Sequence, residues 1–151
     1  MDSVTNKIII AGPLAPVFDL VTSARFWKRW HPATTAVGGT TERPYQLGDR
    51  IQEQGKIQET EFLVTWRVTE HLRPQRVTIE SHTPPARIAY SFREKDGVEF
   101  TRTVEYDPAA MNVQGEQREN LRRVMFAQSE QALRQLKALV EGLLREETKS
   151  L

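Results

Sequence analysis

Two hydrophobic periods divide the chain. From residue 61 to 107 apolar residues recur at every second position, and beyond residue 116 at every third or fourth. In 61–71, Phe62, Val64, Trp66 and Val68 alternate with Leu63, Thr65, Arg67 and Thr69. Val77 and Ile79 share a face in 76–82, Ile88, Tyr90 and Phe92 in 87–94, and Phe100, Val104 and Tyr106 in 98–107. Such alternation predicts strands covered on one side and wet on the other. Lys95-Asp96-Gly97 is a hairpin signal, because Asp-Gly supplies the positive φ of a tight turn. Leu72-Arg73-Pro74 and Pro84-Pro85 separate the other strands. Earlier in the chain, 4–11, 34–41 and 49–54 also read as strands, the last ended by Gly55. Pro13 or Pro16 opens helical spacing over about 14–21, and Thr22-Ser23 offers a cap for a second short helix over about 24–30.

The second period gives one long helix over 116–147. Leu121, Met125, Gln128, Ala132, Leu136, Leu139 and Leu143 fall on one line, with Phe126, Leu133, Val140 and Leu144 beside it. Glu119, Arg123, Glu130, Arg134, Lys137 and Glu141 lie opposite. The apolar face spans about 200°, from Val124 round to Phe126 and Leu144. The helix is predicted to run about 30 residues and ~45 Å, so it has to lie across something wide. The fold class is α+β, a sheet covered by this helix.

Composition narrows the classes. The 151 residues suit one domain, with 38% hydrophobic and 27% charged residues. Lys+Arg (21) and Asp+Glu (20) nearly cancel, which argues against a nucleic-acid partner. There is no cysteine, which excludes disulfides, thiolate catalysis and thiolate-bound metal. No run approaches the roughly 18 apolar residues of a membrane-spanning helix, no export signal is visible, and a cytoplasmic protein is expected. His31, His71 and His82 are scattered, so no metal site and no cofactor is expected.

The order of elements and several segments resemble the SRPBCC superfamily, also called START-like, Bet-v-1-like or polyketide cyclase/dehydrase-like. Val17-Phe18-Asp19-Leu20-Val21 followed by Phe26-Trp27-Lys28-Arg29-Trp30-His31-Pro32 is similar to its two-helix segment. Leu47-Gly48-Asp49-Arg50-Ile51, Thr65-Trp66-Arg67-Val68-Thr69-Glu70 with Pro74, and residues 98–107 are similar to its strands. Residues 133–141 are similar to its closing helix. The resemblance covers nearly the whole length and implies one domain with the helix-grip fold. In that fold a curved antiparallel sheet of about six or seven strands wraps a long C-terminal helix, and a cavity between them holds a hydrophobic molecule. The fold transfers across the superfamily; the activity does not.

The informative residues are polar ones on apolar faces, because burying them costs free energy unless they are paired. Arg102 shares parity with Phe100 and Val104. It reads as a ligand anchor, or as a residue reaching solvent at the sheet end. Glu53 shares parity with Ile51 and is either its ion-pair partner, a ligand contact or a solvated edge residue. Gln128 sits in the middle of the helix's apolar face, bordered by Ser129, and reads as pocket lining or as a buried hydrogen bond. Trp66, Tyr90, Phe100 and Trp30 complete the expected ligand-binding set. The catalytic candidates are Glu53, Tyr90 and His31. The leading function is binding or carrying a small hydrophobic molecule, of an anionic, lipid- or polyketide-like kind, in the cavity between the sheet and the C-terminal helix. The alternatives are a polyketide cyclase/dehydrase-type enzyme and a co-chaperone-like interaction module. The outer sheet face, with Thr65, Arg67, Thr69, Thr78, Glu80, Thr101, Thr103 and Glu105, looks solvated. Homodimer formation is left open.

Overall fold

A computed structural model describes residues 1–149. The elements in order are β1 (Asp2–Ile10), α1 (Leu14–Val21), a 3-10 turn (Ala24–Phe26), α2 (Trp27–Trp30), β2 (Thr34–Gly39), β3 (Arg50–Ile57), β4 (Thr60–Leu72), β5 (Arg76–His82), β6 (Pro85–Glu94), β7 (Val98–Tyr106), a second 3-10 turn (Ala109–Met111) and α3 (Glu116–Lys149). The seven strands form one antiparallel sheet in the order β1-β7-β6-β5-β4-β3-β2. The first strand therefore pairs with the last, and β1 and β2 are the edges. The sheet curls around α3, giving the α+β helix-grip architecture.

The expected elements are all present, with shifts at their ends. β1 begins at Asp2 rather than at Val4. The second short helix is a 3-10 turn followed by one turn of α-helix. Gly55 does not end β3. It lies inside the strand, and its missing side chain makes room for the Phe62 ring opposite it on β4 and for the Ala33 carbonyl. The hairpin between β6 and β7 turns at Asp96 (φ 54°) and Gly97 (φ 115°), as Asp-Gly predicts.

Alternation is cleanest on β7, where Val98, Phe100, Arg102, Val104 and Tyr106 are all buried. On the opposite face one expectation fails. Thr78 is buried rather than solvated, because a register shift between Val68 and Glu70 brings the Glu70 carboxylate over it and Thr78 Oγ1 donates to Glu70 Oε1 at 2.9 Å. On α3 the buried stripe is Leu121, Ser129, Ala132, Leu133, Leu136 and Val140. Leu139 and Leu143 are only half-buried, and Phe126 is 45% exposed. The apolar face of the sequence is thus wider than the face the sheet covers.

The helix is tied to the edge of β1. Arg118 grips Asp2 through two hydrogen bonds of 2.8 and 2.6 Å. Lys137 Nζ donates to the Ile9 carbonyl at 2.6 Å, and the Ala11 amide donates to Glu141 Oε2 at 2.8 Å. The Lys137 bond takes up a main-chain acceptor of this edge strand, and the helix lying along it blunts an edge otherwise open to another strand.

Candidate functional site

Polar side chains converge on the inside of the grip. Arg102 is 5% exposed on β7, opposite Tyr90 on β6 and Asn6 on β1. Its Nη1 donates to Ser129 Oγ on α3 at 3.0 Å, which links sheet to helix. Glu53 is 6% exposed on β3. Its Oε1 accepts from Trp66 Nε1 at 2.9 Å and its Oε2 from Thr34 Oγ1 at 2.5 Å. Thr34 Oγ1 in turn lies 2.9 Å from His31 Nδ1. His31 follows α2, and its amide closes that helix on the Trp27 carbonyl. Tyr45, from the loop before β3, packs edge-on against Trp27 with ring centres 6.0 Å apart. Beyond Tyr90 the site is closed by aromatic packing, with Tyr90 against Phe100 and Phe92 between Phe100 and Phe18.

The electrostatics follow from burial. Burial raises the Glu53 carboxyl above its usual range, although the Thr34 and Trp66 hydrogen bonds and the Arg102 charge pull the other way. Burial, reinforced by the Arg102 charge, pushes the His31 imidazole down to about 3. Burial also raises the Tyr90 and Tyr45 phenols, so both are neutral near pH 7.

Of the expected site residues, Arg102, Glu53, Trp66, Tyr90, Phe100 and Trp30 are all buried, and His31 is half-buried beside them. Two expectations change. Glu53 and Arg102 do not form a direct ion pair: Arg102 is spent on Ser129 and Glu53 on Thr34 and Trp66. The residue that α3 presents to the interior is Ser129 (2% exposed), while Gln128, one position round the helix, is half-buried. Thr34 and Tyr45 were not foreseen. Thr34 bonds Glu53 only because β2 and β3 pair in one particular register, and Tyr45 lies in an aperiodic loop, so neither leaves a mark in the pattern of residues.

Two buried donors here, Trp30 Nε1 and Arg102 Nε, have no hydrogen-bond partner, nor does one buried acceptor, Oδ1 of Asn6, which pairs with Arg102 across β1 and β7; the Tyr45 hydroxyl is within reach of Trp27 and Tyr90. Each orphaned group costs about 1–3 kcal/mol if it stays dry. Indole Nε1 and guanidinium Nε are pure donors, whereas the Asn6 amide oxygen is an acceptor. Two surface clefts, of about 390 and 500 Å³, lie elsewhere, one by Gly12, Pro13 and the β6–β7 turn, the other by Met1, Asp2 and Arg118. Among the described residues no group of acidic or histidine side chains is placed to hold a metal ion, and no helix is long and apolar enough to cross a membrane.

A family model described as "Polyketide cyclase / dehydrase and lipid transport" matches residues 1–141. The chain belongs to this family. Solved structures agree on its fold at low identity. The protein TTHA0849 of Thermus thermophilus is 13% identical with a TM-score of 0.76, over 94% of this chain and 99% of its own. Protein BH1534 of Bacillus halodurans is 13% identical with a TM-score of 0.71, over 93% and 98%. The di-domain ARO/CYC protein BexL of the BE-7585A biosynthetic pathway is 18% identical with a TM-score of 0.68, over 93% of this chain and 50% of its own. None of the curated proteins compared matches the chain.

Proposed function

We propose that this polyketide cyclase/dehydrase family member binds a hydrophobic small molecule inside the grip and holds a carbonyl or carboxylate oxygen of it at Arg102. The observation that carries this reading is Arg102 itself, a buried guanidinium whose Nε is left without a partner while Nη1 is anchored on Ser129. A guanidinium anchored on Ser129, with the Tyr90 hydroxyl also in reach, and open at Nε suits an acceptor oxygen. Aromatic walls from Trp27, Trp30, Tyr90 and Phe100 suit an apolar or ring-bearing body.

The test is titration with a naphthalene carboxylate and the matching naphthalene alcohol. Arg102→Met is expected to weaken the carboxylate about 10- to 100-fold, the worth of a charged hydrogen bond, and to leave the alcohol within a factor of about two. Equal affinities of the wild type and Arg102→Met for the carboxylate would remove Arg102 as the anchor. Native mass spectrometry of protein purified from its own cells would identify the natural class.

A second reading, cyclase- or dehydrase-type catalysis in the same place, is favoured by one observation. His31, Thr34 and Glu53 are hydrogen-bonded in series at the edge of the site. Turnover of a polyketide-like substrate that is lost in His31→Asn would support it over simple carriage.

A further inference from the structure

The series of bonds from His31 to Glu53 has a polarity that hydrogen counting determines. A threonine hydroxyl has one proton. When Glu53 is ionised, Thr34 spends that proton on Oε2 at 2.5 Å. Thr34 Oγ1 can then only accept from His31 Nδ1, 2.9 Å away. The neutral imidazole must therefore carry its hydrogen on Nδ1, leaving Nε2 as a bare acceptor. When Glu53 is protonated on Oε2, every bond reverses. Glu53 donates to Thr34, Thr34 donates to Nδ1, and Nε2 bears the hydrogen. Both arrangements satisfy Nδ1, Oγ1 and Oε2, so the two states share one heavy-atom geometry.

We propose that His31, Thr34 and Glu53 form a proton relay, in which His31 Nε2 takes a proton from a molecule in the grip and Glu53 stores it. This rests on the reading of the interior as a ligand site. The ligand's C–H or O–H bond breaks, and its electron pair stays on the ligand as an enolate or alkoxide beside the Arg102 cation. The proton forms a new bond to Nε2. The Nδ1 proton passes to Thr34 Oγ1, and the Thr34 proton passes to Glu53 Oε2. The imidazole is neutral before and after, its tautomer exchanged, and the carboxylate becomes an acid. No other reactant is needed.

The surroundings favour this route over a charged imidazolium. Burial disfavours a cation at His31, with Arg102 adding repulsion, while burial favours the protonated form of Glu53. The groups facing the relay are Arg102 from β7, the neutral phenols of Tyr90 from β6 and Tyr45 from the loop before β3, and the Trp66 indole from β4, which holds Oε1 at 2.9 Å and leaves Oε2 to Thr34. From α3 the interior receives the uncharged Ser129 hydroxyl. His31 would be the catalytic group, and Thr34 and Glu53 the positioning and storing groups behind it.

The test needs no ligand. In the full chain labelled with 15N-histidine, nitrogen shifts distinguish Nδ1–H, Nε2–H and the doubly protonated ring. At neutral pH His31 is expected to show Nδ1–H with a bare Nε2. On acidification it should exchange to Nε2–H at the midpoint where the Glu53 carboxyl carbon titrates, before the ring becomes cationic. Thr34→Ser should keep this exchange and Thr34→Val should abolish it. A ring carrying Nε2–H at neutral pH, a direct passage to the cation, or unchanged behaviour in Thr34→Val would overturn the relay. If Thr34→Val does not fold, the wild-type titration decides alone, by whether the two midpoints coincide. Failure here leaves the carboxylate affinity at Arg102 untouched, and loss of that affinity leaves the tautomer untouched, so the two readings fail separately.

Discussion

Glu53 and His31 are close enough to share one hydroxyl, yet burial moves their titrations in opposite directions. Glu53 is raised, so between its unfolded value of 4.5 and its folded one the native state binds more protons and stability falls as pH rises. His31 is lowered from 6.5 to about 3, so the unfolded state binds more protons across that interval and stability falls as pH falls. Each has a limiting slope of about 1.4 kcal/mol per pH unit, and where the intervals overlap they offset each other. Glu53→Gln is therefore expected to steepen the loss of stability on acidification in the interval just above pH 4.5, and His31→Asn to flatten it between pH 6.5 and about 3. Urea denaturation at stepped pH values checks both. At this scale the sequence was partly legible. The inward parity of Arg102 and Glu53 follows from strand period two, and both are buried. Their partners do not follow, because parity gives a face and says nothing about which neighbour a long side chain reaches.

At the scale of elements, β3 and α3 carry the differences from the residue pattern. Glycine usually punctuates, but Gly55 sits within β3 because Phe62 occupies the place its side chain would take. A methyl group there would press on the Phe62 ring and on the Ala33 carbonyl, which also accepts the Lys56 amide at 2.9 Å. Gly55→Ala is expected to cost about 1–3 kcal/mol, measured as a lower denaturation midpoint. On α3, helical period marked the apolar face correctly but too widely, since period cannot tell a residue the sheet covers from one beside it. Phe126 lies outside the covered stripe and Ser129 within it. The clasp between α3 and β1 is testable too. Burial acts to raise the Glu141 carboxyl, but the Ala11 amide and the Lys137 ammonium outweigh it and hold it low. Lys137→Met should speed hydrogen exchange at the Ala11 amide several-fold while exchange in β4 and β5 stays as it was.

For the whole molecule, periodicity indicated a one-sided sheet covered by a long helix, and the family resemblance turned that into the grip. The polar contacts inside it, such as Arg102 with Ser129 and Glu53 with Thr34, depend on a few atoms that no periodicity records. The core is shared between the sheet and the second half of α3, where Leu133, Leu136 and Val140 are at most 1% exposed. Losing three such side chains at about 2–5 kcal/mol each approaches the whole stability of a domain. A chain ending at residue 128 is therefore expected to lose cooperative unfolding and near-ultraviolet dichroism.

The pairing of β1 with β7, and of β1 with α3, also sets the order of events when the chain is made. Asp2 meets Arg118 and Ala11 meets Glu141 across sequence separations of 116 and 130 residues. Closing loops that long is what slows folding among chains of similar size. On the ribosome β1 waits for its neighbours until β7 has been synthesised, and Arg102 waits for Ser129 longer still. The interior of the grip is thus among the last parts of the molecule to come into being, and a nascent chain with every strand already made would still lack the helix that encloses it.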